Sequence, residues 1–315
     1  MAMLRTLIAA GRPFLLLFAF AGLMACAETD VRGPGEVVLD PAQSSRIFGG
    51  TEVEKGSDLL GFVVAIESIG VNDREIHCTG TLIHPRVVLT AGHCMDTPEL
   101  FVNSAQLRFR TREFAYANEE NEKLQVAFDH TRRALGIVRP KRWDDLLRED
   151  PRDRERLAYD VALILLDEDA PAGTTPVGFR AFNPDFVSMP QLTTAGFGAE
   201  GGTLDVVEGA RNLLLHGAGP LREVTLTRSP REESAMHFDS FQASKGICYG
   251  DSGAPALTKI DDRWVLIGVA SYVTNQGRDV CRNRGYFLKF AYRAENGETL
   301  ETWIKETLVA LTAGL

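Results

Sequence analysis

At 315 residues, with 44% hydrophobic and 24% charged, the chain has an ordinary globular composition and material for one large or two medium cores. A net charge of -9 argues against a nucleic-acid partner and favours solubility. Beyond the N-terminus, no apolar stretch is long enough to cross a membrane.

The first residues read as a targeting segment. Arg5 and Arg12 precede the apolar run from Phe14 to Ala25, which is too short for a bilayer span and suits a signal peptide. Residues 1–26 are therefore set aside from fold reasoning. Two exits are open. Ala25-Cys26-Ala27 is a small-x-small pattern that a signal peptidase would cut after Ala27. Alternatively, Leu23-Met24-Ala25-Cys26 resembles a lipobox that would leave Cys26 lipidated, with Met24 unusual for that motif. Either way the product is exported, secreted or lipid-anchored at the cell envelope, where cysteines pair. Of the five cysteines, Cys78, Cys94, Cys248 and Cys281 can pair among themselves, which leaves Cys26 over and favours its lipidation. The same arithmetic sets Cys78–Cys94 and Cys248–Cys281 as disulfides, each contributing about 3 kcal/mol by constraining the unfolded chain.

Residues 27–46 are rich in Gly, Pro, Ser and charge without periodicity, and read as a flexible propeptide or linker. From Ile47 the pattern turns β-like. Phe62-Val63-Val64-Ala65-Ile66, Val87-Val88-Leu89 and Trp264-Val265-Leu266-Ile267-Gly268-Val269 are short apolar runs between Gly, Asn and Asp turns, which predicts an all-β sandwich or barrel. Glu119-Glu120-Asn121-Glu122 lacks a calcium-loop motif and reads as a solvated acidic loop. Between Lys141 and Arg156, twelve of sixteen residues are charged, six of each sign, around Pro151. This segment reads as a solvated surface insertion, its short helical pieces supported by Asp144–Arg148 and Asp150–Arg154 pairs. A partner-binding role is the alternative. Leu300, Trp303, Ile304, Leu308 and Leu311 recur at helical spacing, predicting an amphipathic helix over 298–313 packed on the body.

Two strings and one acid carry the chemistry. Leu89-Thr90-Ala91-Gly92-His93-Cys94 places a histidine beside a cysteine after a strand-like run. Gly250-Asp251-Ser252-Gly253 places a serine between glycines, a sharp turn that exposes a hydroxyl, and Asp160 opens an otherwise apolar segment. A hydroxyl becomes a good nucleophile when an imidazole takes its proton and a carboxylate holds that imidazole in the right tautomer. Taken singly, each group has an ordinary reading: a core histidine, a strand-start aspartate, a turn serine. His77, His84, His130, His216 and His237 have no matching partners and read as structural or exposed. No H-E-x-x-H or paired C-x-x-C pattern suggests a metal site.

On these residues the chain resembles the chymotrypsin/trypsin-type serine endopeptidases, from Arg46 to the C-terminal helix. Five strings fall in the family's order: Arg46-Ile47-Phe48-Gly49-Gly50, Thr90-Ala91-Gly92-His93-Cys94, Asp160-Val161-Ala162-Leu163, Gly250-Asp251-Ser252-Gly253 and Ser271-Tyr272-Val273. The resemblance implies an all-β domain over 47–315: two six-stranded Greek-key barrels, about 47–175 and 176–297, with the site between them, plus the C-terminal helix. It implies His93 as general base and then acid, Asp160 as its orienter and Ser252 as the nucleophile. The backbone N–H groups of Gly250 and Ser252 would form the oxyanion hole, each donor contributing ~3 kcal/mol to lowering the barrier. It also implies a zymogen, in which cleavage after Arg46 frees an Ile47 ammonium to pair with Asp251 and form the oxyanion loop.

The same resemblance bears on substrates. Gly246 stands where an acid would select Lys or Arg, Val273 narrows the primary pocket, and Gly285 leaves its opposite side open, so small to medium apolar side chains are expected. Such an enzyme cuts poorly after its own Arg46, so another protease activates it. A polypeptide substrate lies along Ser271-Tyr272-Val273 as an added strand. No cofactor, metal or nucleic acid is expected, the membrane is reached only through a lipid on Cys26, and the chain is expected to be a monomer. Ala254 in place of a common glycine, the absence of several disulfides of the animal members, and a stretched His-to-Asp spacing point to a bacterial branch. One rival reading is a catalytically silent binding protein on the same fold, which loss of a triad member would have favoured. The other is an α/β-hydrolase esterase, whose Gly-x-Ser-x-Gly and Ser-Asp-His order are absent.

Overall fold

The computed structural model describes residues 47–69, 75–96, 106–109, 130–150, 153–181, 190–198, 204–207, 210–213, 221–228, 234, 236–240, 244–274, 281, 284–293 and 297–315. The early strands are β1 (Thr51–Glu52), β2 (Val63–Ile69), β3 (Glu75–His84), β4 (Val87–Thr90), β5 (Gln106–Phe109), β6 (His130–Val138) and β7 (Ala162–Leu166). Then come β8 (Gly178–Phe179), β9 (Gln191–Gly196), β10 (Leu204–Val207), β11 (Ala210–Leu213) and β12 (Arg222–Thr227). The last four are β13 (His237–Ser240), β14 (Pro255–Ile260), β15 (Arg263–Thr274) and β16 (Arg284–Lys289).

Six strands close into a barrel in the order β2-β3-β4-β7-β6-β5, every neighbour antiparallel. The apolar runs read from the sequence become its walls: β4 is buried at every position and β7 at all but one. Val64, Leu82, Leu89, Leu107 and Leu163 are fully buried, and each such side chain contributes roughly 1.5–3 kcal/mol. The second half is a sheet in the order β1-β12-β9-β14-β15-β16-β13, with β8 pairing in parallel with β15. Strands β12 to β13 curve until their ends meet at one isolated bridge, Arg228 with Ser240. The all-β expectation holds, with the second unit a half-barrel among the described residues rather than a closed one.

Chain order and packing part company at the start of the domain. Thr51 and Glu52 pair with Glu223 and Arg222 of β12, and Ile47 is fully buried in the core of the second half with Leu192, Val224, Phe238 and Phe287. Residues Ile47–Glu52 therefore belong by packing to the second half, although they precede the first barrel.

The charged segment corrects the sequence reading. It forms helix α1 (Lys141–Glu149) and a 3-10 turn, Arg154–Tyr159. Trp143 and Leu146, three residues apart among the charges, are buried against Ala158 and Tyr159. Among the described residues, neither the expected Asp144–Arg148 pair nor the Asp150–Arg154 pair is found. Asp144 bonds instead to Arg139 at 2.6 Å, while Asp145 takes Lys141 at 2.5 Å and Arg148 at 2.7 Å. Burying one indole outweighs exposed pairs of about 0.3–0.5 kcal/mol, so packing sets the helix orientation and the charges find partners afterwards.

Helix α2 (Leu300–Thr312) starts at Thr299, whose Oγ1 accepts from the Thr302 N–H at 3.2 Å. Leu300 and Ile304 are buried, and Trp303, Leu308 and Leu311 pack against the main core, as the spacing predicts. No helix among the described residues is long and apolar enough to cross a membrane. Residues 1–46, including Cys26 and Arg46, lie outside the described residues, as does Glu119-Glu120-Asn121-Glu122.

Candidate active site

His93 sits in a 3-10 turn, Gly92–Met95, that follows β4 directly. Asp160 lies between the Arg154–Tyr159 turn and β7, and β4 pairs with β7, so one register places both residues at the same end of the barrel. Asp160 is fully buried and accepts from the His93 backbone N–H at 2.8 Å. Its Oδ2 lies 2.9 Å from His93 Nδ1 and accepts from Ser271 Oγ at 2.5 Å. Ser271 interrupts the β15–β16 register between Ala270 and Tyr272, and such irregularities re-aim a side chain.

These contacts oppose the effect of burial. Burial disfavours the Asp160 carboxylate, but the His93 charge and the bonds from His93 and Ser271 hold its pKa below the ordinary value. Burial also pushes the His93 imidazole down, whereas Asp160, through charge and hydrogen bond, and Asp96 push it up further, against Arg156; the net shift is upward. Arg139, from the segment after β6, ties this turn to α1: its guanidinium donates to the Met95 carbonyl, pairs with Asp96 at 3.4 Å, and pairs with Asp144 at 2.6 Å.

Ser252 occupies a turn between two glycines with positive φ, Gly250 at 89° and Gly253 at 83°. A side chain on Gly253 would place its first carbon 2.1 Å from Thr90 Oγ1, so the turn demands glycine there. The turn is fastened to the first barrel through Thr79 of β3, which is fully buried. The Thr79 N–H donates to the Ser252 carbonyl at 2.8 Å, and Thr79 Oγ1 donates to the Gly250 carbonyl at 3.0 Å. The N–H groups of Gly250 and Ser252 meet no acceptor among the described residues.

Ser252 and His93 face one cavity of about 290 Å3, also lined by Ile247, Cys248, Tyr249, Ala270, Ser271, Tyr272 and Val273. No hydrogen bond joins the Ser252 hydroxyl to the imidazole among the described residues, a contact that commonly tightens only with substrate bound. Gly246 and Gly285 do not border the cavity. Gly246 pairs with Phe48, and a side chain on Gly285 would meet Ile247 Cγ1 at 2.6 Å. The space beside Gly285 is therefore filled by Ile247, not open.

Asp251 points away from the cavity and is fully buried. It accepts from the N–H groups of Gly198 and Cys248, each at 2.8 Å, and no cation reaches it among the described residues. Burial pushes its pKa up to about 7 despite those bonds. Phe48, next to the buried Ile47, packs on the Cys248–Cys281 disulfide with Tyr249, which places the start of the domain beside the serine turn. The Cys78–Cys94 bridge joins β3 to the His93 turn. The ligand atoms of Cys78, His93 and Cys94 lie within 4.8 Å of one another, but both sulfurs are bonded to each other and offer no thiolate to a metal.

This arrangement sits in a chain that matches the Trypsin family over residues 47–294. The chain belongs to the trypsin family. This trypsin-family domain is that of a serine-type endopeptidase, acting on polypeptides, and it carries two disulfides. It is 25% identical to serine protease 28 of Mus musculus over 271 residues, 82% of this chain and 89% of that protein. It is 26% identical to kallikrein-2 of Homo sapiens over 280 residues, 86% of this chain and 92% of the relative. With ovochymase-2 of Mus musculus it shares 27% over 251 residues, 74% of this chain but 36% of that longer protein. The residues of the candidate site that the sequence did not announce are Thr79, Ile247, Tyr249 and Arg139. Ile247 and Tyr249 flank Cys248, just before the serine string, whereas Thr79 and Arg139 reach the site across long stretches of chain.

Proposed function

We propose that the chain is made as a zymogen and, once cut after Arg46, hydrolyses peptide bonds through Ser252, His93 and Asp160. The observation that carries this reading is the buried Asp160 carboxylate on His93 Nδ1, with Ser252 in the same cavity. With the proton held on Nδ1, the Nε2 lone pair is left to take the Ser252 proton as Oγ attacks the scissile carbonyl. The Gly250 and Ser252 N–H groups then hold the oxyanion. The imidazolium gives its proton to the departing amine, and water repeats the sequence to release the acid.

The free imidazole is the working form, and its pKa is raised, so kcat/KM is expected to fall as pH drops below a limb lying above 6.5. Asp160→Asn removes the main upward influence and favours the wrong tautomer. It is expected to lower kcat by about 10^4-fold and move that limb to lower pH. A pH–rate profile of both proteins checks this.

Ile247, Cys248 and Val273 make an uncharged wall, which supports a preference for small to medium apolar side chains in the primary pocket. Residues 1–26 as an export signal, 27–46 as a propeptide, lipid on Cys26 and activation by a second protease belong to the same reading. A fluorophosphonate probe tests its core. The chain beginning at Ile47 should be labelled and the uncut chain should not. Absence of labelling after cleavage would instead make this a silent, binding member of the family.

A further inference from the structure

Among the described residues of the charged segment, two guanidiniums near the cleft have no carboxylate in ion-pair reach. Arg139 is engaged by Asp96 and Asp144, Arg142 by Glu149 and Glu155, and Arg148 by Asp145. Arg154 and Arg156 differ. Among the described residues neither has a carboxylate partner, Arg154 is exposed, and Arg156 lies 5.1 Å over the buried Trp143 ring. Both stand on the 3-10 turn that runs into Asp160.

That turn abuts the substrate wall. Met236 packs against the cluster that includes Ala158 and Tyr159 of the turn and leads into His237, whose ring meets Tyr272 edge-on at 5.3 Å, and Tyr272 lines the cavity with His93 and Ser252. Tyr272 is held from its other side by Tyr286, stacked at 4.4 Å. Burial and Tyr286 push the Tyr272 hydroxyl up, and Arg154 pulls against them; Arg156 likewise acts on His93 and Asp96. Three acids nearest the cavity are already matched: Asp160 with His93 and Ser271, Asp96 with Arg139, Asp239 with Arg284 at 3.1 Å. In a chain of net charge -9, Arg154 and Arg156 thus stand near the cleft with no carboxylate in ion-pair reach among the described residues.

A substrate strand laid along Ser271-Tyr272-Val273 carries its acyl-side residues past Tyr272 and this turn. We propose that Arg154 and Arg156 form a cationic subsite that selects acidic side chains roughly two to four residues on the acyl side of the scissile bond. The inference rests on the peptidase reading above. The planar fork of each guanidinium suits a carboxylate, and Trp143 fixes one of the forks in place.

The test uses the chain beginning at Ile47, its active sites counted with a fluorophosphonate. Peptides share one apolar residue in the primary pocket and vary Asp, Glu, Ala or Lys at the acyl-side positions. Expected is kcat/KM about tenfold higher for Asp or Glu than for Lys, shrinking as salt rises. Arg154→Glu should reverse the order and Arg154→Lys should keep part of it, with labelling unchanged in both because the residue is exposed. A fully labelled enzyme that cleaves Asp and Lys peptides equally, or whose preference survives Arg154→Glu, overturns the subsite alone. A chain that takes no label overturns the peptidase reading and the subsite with it.

Discussion

Ser252→Ala in the chain beginning at Ile47 is expected to lower kcat by on the order of a million-fold and leave KM within a few-fold. The turn that carries Ser252 is held by its backbone, through the Thr79 N–H, the Gly250 carbonyl and the bond from the Gly253 N–H to the Ala270 carbonyl at 2.8 Å. Removing one hydroxyl therefore leaves the turn, the cavity and the backbone N–H groups of residues 250 and 252 in place, and the loss reads chemistry rather than folding. His93→Ala should cost about as much, and the double variant no more than either, because a serine without a base and a base without a serine are equally idle. Single-turnover measurements on the three variants decide it. Losses that multiply in the double variant would mean that the two side chains act independently, and the triad assignment would fall.

Cleavage after Arg46 is expected to reverse the pH dependence that Asp251 gives to stability. In the uncut chain this carboxyl, at about 7 when folded, keeps a proton that the unfolded chain sheds near its ordinary value. A raised folded value means stability that is present below about pH 4 and lost as pH rises to about 7, by roughly 4 kcal/mol. If the freed Ile47 ammonium reaches Asp251, the folded value drops below the unfolded one. The contribution is then present above about pH 4 and lost only as pH falls through the lowered value. The gain in Tm on cleavage should thus widen from about pH 4 to pH 7.5, and vanish in Asp251→Asn, which also should not gain full activity. Melting curves of cut and uncut chains across that range give the answer. A gain that stays flat with pH would show that no ammonium arrives.

Local strings were readable where the chemistry is local. His93 follows the wholly apolar β4, Ser252 sits between glycines whose positive φ values a side chain would resist, and Asp160 opens β7. Each therefore announces itself within a few residues. The C-terminal helix was legible because one face of thirteen residues repeats at helical spacing. Contacts between distant residues were not. Thr79 is 171 residues from Gly250, and Arg139 is 43 from Asp96, so neither bond leaves a mark in composition or periodicity. The charged segment misled for another reason: twelve ionised residues swamp the signal of Trp143 and Leu146, although those two decide how it packs. Gly285 was read as open space, and only the approach of Ile247 closes it.

The fastening at Thr79 has one more consequence. In the proposed mechanism the first half supplies the imidazole and the carboxylate and the second the hydroxyl and the two backbone donors, and β3 grips the serine turn directly. A polypeptide split in the connection between β7 and β9 would leave two silent fragments, each lacking half the chemistry. Fused to proteins that bind one another, the fragments would turn over substrate only while the grip re-forms, so this fold could be made to report molecular proximity.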